Sequence, residues 1–466
     1  MAYSRRSFLA LAATSAAFAG VPQAFGQTGV TYRNEVTGYG PLIPDPKGLF
    51  ELPEGFSYRV ISEAGQRMDD GLLTPDKMDG MGCFPAGRGR VALVRNHELR
   101  PTEPGRSAFG ADGALAAGIP ADRVFDRTAL GHPMPGGTTT LIYDLRAGRL
   151  VSQHLSLAGT STNCAGGLTP WGSWLTCEET TLAKGPGVSQ DHGWVFEVPA
   201  DARGLVEPHP IRAMGRFRHE AAAIDPRTGV VYLTEDTADS LIYRYLPNDR
   251  RRLHSGGRLQ ALGFREGAQA DPRNKVERFW SPGDWRDVVW IDLDGVESPA
   301  DDLRLRGAAR GAARFARGEG LWFGDGELFI TCTSGGPAAH GQILRYVPSR
   351  REGRPGEADR PGRLQLFVEP SDPAVMSMAD NIAVAPWGHL FVCEDKGVGQ
   401  NQLKAVTPKG QVYAVGRNVM ASPQGVPINT ELAGVCFSPD GATLFVNLYM
   451  PGKTLAITGP WNRFRA

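Results

Sequence analysis

The chain repeats one phrase six times: a short apolar strand, a turn built on Pro, Gly or Asp, a second apolar strand, then polar residues. It recurs over 82–98, 166–179, 221–236, 320–334, 381–395 and 432–447. In one copy Ile382-Ala383-Val384 turns through Pro386-Trp387-Gly388 into Leu390-Phe391-Val392. In another Val435-Cys436-Phe437 turns through Pro439-Asp440-Gly441 into Leu444-Phe445-Val446. Such turns supply the positive φ that a tight hairpin needs. A unit that cannot bury its own apolar faces must stack against its neighbours. Repetition of this kind therefore constrains the fold more than any single residue does.

Several copies are followed by a third apolar run, at 139–143, 194–198, 241–245 and 342–346. Sheets of about four strands repeated radially make a β-propeller. The expected fold is all-β: a six-bladed β-propeller with loop insertions, chiefly around 100–135 and 250–310. The last copy is followed by one more strand near 455–458, so the early strand at 56–61 is expected to complete that blade and close the ring. With 59 Gly and 35 Pro the chain has few long helical patterns, and no linker divides it. Residues 27–466 read as a single propeller domain.

In a propeller the residues before a first strand and after a second strand emerge at the same end. Here those flanks are acidic. Asn163-Cys164 precede one first strand and Glu178-Glu179 follow its partner. His219-Glu220 and Glu235-Asp236 flank the next copy, and Arg317 and Glu319 precede the fourth. Asp380-Asn381 and Glu394-Asp395 flank the fifth, Glu431 precedes the sixth, and Asn96-His97-Glu98 end the first. So many carboxylates at one mouth raise one another's pKa unless cations intervene. Hard oxygen ligands suit Ca²⁺ or oxidised iron, and a thiolate among them favours a transition metal.

The N-terminus reads as a leader. Ser4-Arg5-Arg6-Ser7-Phe8-Leu9 opens an apolar run that ends at Phe18, and Ala24-Phe25-Gly26 supplies small residues flanking a cleavage point before Gln27. A basic start, a short apolar stretch and a small-residue exit make a signal peptide, and the paired arginines are the twin-arginine address. Residues 1–26 are expected to be removed after export by the twin-arginine machinery, to the periplasm or beyond. The run falls short of the roughly 18 apolar residues of a membrane span and contains Thr14 and Ser15. No later stretch is expected to span a membrane. The chain is formally neutral, and −2 once Arg5 and Arg6 are gone; without a basic excess, nucleic acid is excluded as a partner. A monomer is expected.

An exported protein could pair its six cysteines, but most sit in apolar runs and read as small buried hydrophobes. Cys164 stands apart in the polar run Thr162-Asn163-Cys164-Ala165-Gly166-Gly167. Dinucleotide, phosphate-loop, His-Glu-x-x-His and Gly-x-Ser-x-Gly motifs are all missing. Asp292-Leu293-Asp294-Gly295 reads as a turn rather than a calcium loop.

These residues resemble the PhoX alkaline phosphatase family. The likeness is carried by 163–167 with 169–179, by Arg218-His219-Glu220, by Phe315-Ala316-Arg317-Gly318-Glu319-Gly320, by Asp380-Asn381 and by Glu394-Asp395. The resemblance implies a phosphomonoesterase with two ferric ions and several calcium ions in one cluster. It implies Cys164, Glu220 and Arg317 at the catalytic centre, with Cys164 bridging iron and Arg317 contacting phosphate. Glu179, Glu220 and Glu319 would be metal carboxylates; Asn96, Asp380, Glu394, Asp395 and Glu431 join them by repeat position. His97, His219 and Glu235 stay unassigned. Two alternatives remain open: a calcium-dependent propeller lactonase or phosphodiesterase, and a metal-stabilised binding propeller without turnover.

Overall fold

The computed structural model describes residues 32–267 and 271–464; the expected leader, 1–26, lies outside them. Twenty-six strands, one α-helix of seven residues and short 3₁₀ turns make up the described chain. The fold is all-β and propeller-like: four separate sheets and one nine-stranded sheet.

Each repeated phrase forms an antiparallel pair: its turn residues close the hairpin, and its apolar runs bury both faces of most of these strands. The first sheet is a meander of Met78–Pro85, Arg90–His97, Gly136–Asp144 and Arg149–Thr160. The second has three strands, Asn163–Leu168, Ser173–Glu178 and Val195–Pro199. Two further meanders, His219–Ile224 to Gly257–Phe264 and Gly318–Gly324 to Arg363–Val368, are fused into the nine-stranded sheet by Trp285–Asp292, which pairs with both outer strands. That strand and the short helix Leu303–Ala309 account for the insertion expected around 250–310.

The meander beginning at Ala379–Val384 is widened by two N-terminal strands, Phe50–Pro53 and Leu42–Ile43. The last sheet, Leu432–Phe437, Thr443–Leu448 and Lys453–Thr458, takes its outer strand from Ser57–Glu63. The chain's two ends therefore close one sheet together, as the strand expected at 56–61 implied. Segments far apart in the chain are thereby hydrogen-bonded into one four-stranded sheet.

The six first strands lie side by side, each against the next, and the last against the first. Two glycines permit this approach: a Cβ on Gly80 would stand 2.5 Å from Ala165 Cα, and one on Gly320 2.6 Å from the Asp380 carbonyl. Below the mouth the axis is filled by Met81, Leu321, Trp322, Ile382 and Val435 around a void of about 20 Å³. That is room for roughly one water, so this end of the axis is a cup rather than a tube.

Candidate metal and phosphate site

Every first strand carries the same irregularity. Its register with the second strand slips by a bulge at Met78/Met81, Asn163/Gly166, His219/Ala222, Gly318/Leu321, Ala379/Ile382 and Ala433/Cys436. A bulge bends the strand and re-aims a side chain. The residue at the bulge is Asp79, Cys164, Glu220, Glu319, Asp380 and, in the last copy, Gly434.

A second ring follows from one repeated hydrogen bond. The backbone N–H of Glu98, Glu179, Asp236, Thr333, Asp395 and Tyr449, each just past a second strand, donates at 2.8–3.2 Å to the carbonyl of the residue just before the first strand. Those acceptors are Lys77, Thr162, Arg218, Arg317, Met378 and Glu431. Four of them, Lys77, Thr162, Arg317 and Met378, hold a left-handed backbone with φ of 48–57°. Non-glycine residues pay about 1–3 kcal/mol for such strain, which concentrates at functional sites.

Three overlapping groups result: Cys164 with Glu179 and Glu220, Glu220 with Glu319 and Asp380, and Asp380 with Asp395 and Glu431. Within each, one donor atom per residue lies within 4.8 Å of the others. Glu220 and Asp380 belong to two groups each, so the three are continuous. Asp79 joins at the centre, accepting from Cys164 Sγ at 3.5 Å. Both carboxylate oxygens of Glu220 are buried without any hydrogen-bond donor. The residues therefore fit cations, because a buried carboxylate with no donor is costly until a cation or a proton meets it.

Burial first, and the neighbouring carboxylates second, hold the carboxyls of Asp79, Glu179, Glu220, Glu319 and Glu431 well above their usual range. The same causes push Asp380 up to about 7 and raise the Cys164 thiol. Arg317 is the cation inside this field. Its Nε and Nη2 donate to Asp236 at 2.9 and 3.0 Å, and Nη2 also to Glu319 at 2.7 Å. Burial opposes its charge, but Glu319 and Asp236 outweigh burial and raise its pKa. Among the described residues its Nη1 has no hydrogen-bond partner, and its side chain is 30% exposed.

Two expected ligands stand elsewhere. Asn96 is fully buried, and its amide N–H₂ donates to the Cys164 and Ala165 carbonyls at 2.9 and 2.7 Å while its oxygen accepts from the Trp174 indole at 2.9 Å. It holds the Cys164 segment from behind rather than facing the cluster. Glu394 accepts from the Ser377 and Gln402 N–H groups and pairs with Lys396 at 2.7 Å. Strand alternation sends it away from the mouth while Asp395, one residue on, turns in. Glu178 is likewise buried, accepting from Ser161, Gly193, Trp194 and His192.

The unassigned residues are structural. His97 bridges the Asp76 carbonyl and Thr139. His219 stacks on Phe217 at 3.6 Å, reaches the Gly215 carbonyl and is pushed down to about 3 by burial. Glu235 accepts from the Tyr243 hydroxyl. The sequence reading missed Asp79 altogether and assigned no role to Glu98 or Asp236. Aligning the copies on the bulge instead of on the apolar strand would have exposed Asp79-Gly80 beside Glu319-Gly320.

The family model for alkaline phosphatase PhoX matches residues 37–452 of the chain. No curated protein matches it in sequence. Among solved structures, Pseudomonas fluorescens PhoX in complex with vanadate, a transition state analogue, matches with TM-score 0.65 and 21% identity, over 92% of this chain and 98% of that one. This likeness is one of fold. A gluconolactonase from Xanthomonas campestris matches with TM-score 0.40 and 15% identity, over 90% and 98% of the two chains, too low to bear on function.

Proposed function

The chain belongs to the PhoX alkaline phosphatase family, and from that premise we propose that its acidic mouth is a metal-dependent phosphomonoesterase site in a six-bladed propeller. The observation that carries this reading is the pair of donorless oxygens on Glu220, shared between two ligand groups. Cys164, Glu179 and Glu220 combine a thiol with carboxylates and suit iron; the all-oxygen groups around Asp380 suit calcium. Two ferric ions and several calcium ions are the set we assign, with Asp79 added to the ligands and Asn96 and Glu394 removed from them.

Bound cations would neutralise the cluster and act as Lewis acids toward phosphoryl oxygens. The protein's own part is positioning. Asp236 and Glu319 fix the Arg317 guanidinium plane, which leaves Nη1 aimed to donate to a phosphoryl oxygen from a rigid plane that a flexible Lys cannot supply. The filled axis beneath the cluster limits water to the open side. Pseudomonas fluorescens PhoX binds vanadate, in keeping with a site that favours a trigonal bipyramidal phosphoryl group. Neither Cys164 nor Arg317 is needed to polarise a lactone carbonyl, which disfavours the lactonase alternative.

Export by the twin-arginine route to the periplasm or medium, and a monomeric state, complete the proposal. No helix of the described residues is long and apolar enough to cross a membrane. The test is the mature protein's metal content and visible spectrum, with hydrolysis of a chromogenic phosphate monoester before and after a calcium chelator. A colourless, iron-free protein without phosphatase activity would refute the reading.

A further inference from the structure

We propose that Arg218 is a second anion-binding residue of the mouth, one that captures the phosphoryl group of the incoming ester before Arg317 engages it. The inference rests on the phosphomonoester reading above. A phosphate dianion that approaches a cup walled by carboxylates meets repulsion unless cations stand at its rim. The six positions that accept the repeated mouth hydrogen bond include three cations, Lys77, Arg218 and Arg317. Two of them are already committed: Lys77 to Glu103 at 2.8 Å, and Arg317 to Asp236 and Glu319. Arg100, nearby on the rim, stands 3.7 Å from Glu98.

Among the described residues, Arg218 alone of these cations has no carboxylate partner and no side-chain hydrogen bond, and it is exposed. Its position explains the difference. Arg317 adopts a left-handed backbone, and its side chain folds onto Glu319 two residues on. Arg218 occupies the equivalent place two residues before Glu220, with its carbonyl receiving the Asp236 N–H at 3.2 Å, but it is not left-handed. Its backbone is thus anchored at the mouth and its side chain is exposed, while the Asp236 carboxylate, the neighbour they share, is held by Arg317. An unpaired fork at that place is free to take a phosphate oxygen without first breaking an ion pair.

A capturing residue acts on ground-state binding. Arg218→Ala should raise KM for a phosphate monoester roughly tenfold with kcat within about twofold. It should weaken binding of inorganic phosphate to the metal-loaded protein by a similar factor, read by calorimetry. Arg218→Glu should do more, Arg218→Lys less, and the loss should shrink as ionic strength rises. Arg146→Ala, an equal charge loss at a distant outer hairpin, should leave both constants as in the parent. Metal content and Tm should not change, since the side chain supports nothing. The proposal is overturned if Arg218→Ala keeps the parent's KM and phosphate affinity, or if Arg146→Ala weakens them equally, or if kcat falls at constant KM. A parent protein without phosphatase activity would overturn the phosphomonoester reading instead, and the phosphate titration would still decide the role of Arg218.

Discussion

Replacing Asn96 tests whether this residue holds the site or belongs to it. Asn96→Ala removes two donors and one acceptor at full burial, leaving the carbonyls of Cys164 and Ala165 and the Trp174 indole N–H without partners. Each such group costs about 1–3 kcal/mol. Local relaxation and water entry put the sum near the low end, about 3–4 kcal/mol. Unfolding entropy of about 2.1 cal/mol/K per residue gives a chain of this length roughly 1 kcal/mol/K, so a cooperative transition should fall by about 3–4 °C. Scanning calorimetry on metal-free and metal-loaded protein reads it. The shift should be the same size in both, because the lost bonds are internal. Asn96→Asp should be worse than Ala, since a carboxylate would then face two carbonyl oxygens. If Asn96 were instead a ligand, its loss would lower Tm only in the loaded protein, and Asn96→Asp would hold cations at least as well. Either result would refute the argument.

Further expectations follow from the same contacts. Glu220→Gln should abolish phosphatase activity yet raise the stability of the metal-free protein by about 1–2 kcal/mol, since a neutral amide relieves the repulsion around two donorless oxygens; chemical denaturation of the metal-free forms checks it, and destabilisation would contradict it. Cys164→Ser should remove iron and colour while calcium is retained, as read by elemental analysis, because only the group with Glu179 and Glu220 contains sulfur. Glu394→Gln should lower Tm with metal content intact, whereas Asp395→Asn should lower metal content with little change in the metal-free Tm. His192, fully buried between Glu178 at 2.7 Å and Asp126 at 3.1 Å, is raised to about 9 although burial opposes its charge. Its folded pKa lies above the unfolded value of about 6.5, so its contribution of roughly 3 kcal/mol is complete below pH 6.5 and is lost as pH rises through 9. Urea midpoints of the parent should decline across that window, and those of His192→Gln should not.

Strand pairs and their turns were legible because apolar runs and hairpin chemistry are local: Pro386-Trp387-Gly388 announces its turn without any distant partner. The closing strand was legible too, since the last copy lacked an outer neighbour and an apolar run waited near the N-terminus. The fusion of two meanders through Trp285–Asp292 left no such mark, as pairing between distant outer edges depends on where an insertion happens to fold back.

The candidate site divides along the same line. From the repeated flanks alone, Cys164, Glu179, Glu220, Glu319, Asp380, Asp395 and Glu431 could be assigned to one mouth, and the structure brings them together. Direction could not be read. Glu394 and Asp395 are equal as letters, but alternation turns one into the sheet's hydrogen bonds and the other into the cup. Asn96 resembled a ligand until Trp174 and the Cys164 backbone came to lie against it. Asp79 was hidden because its copy begins with Met78-Asp79-Gly80, upstream of the apolar strand that marked the repeat. Sequence by itself determined the repeat, its acidic end and the lone polar-loop cysteine, all encoded within a dozen neighbouring residues. Which carboxylates converge, and which arginine is left without a partner, were decided by the bulge and by contacts between strands far apart in the chain, and only the folded ring sets those distances.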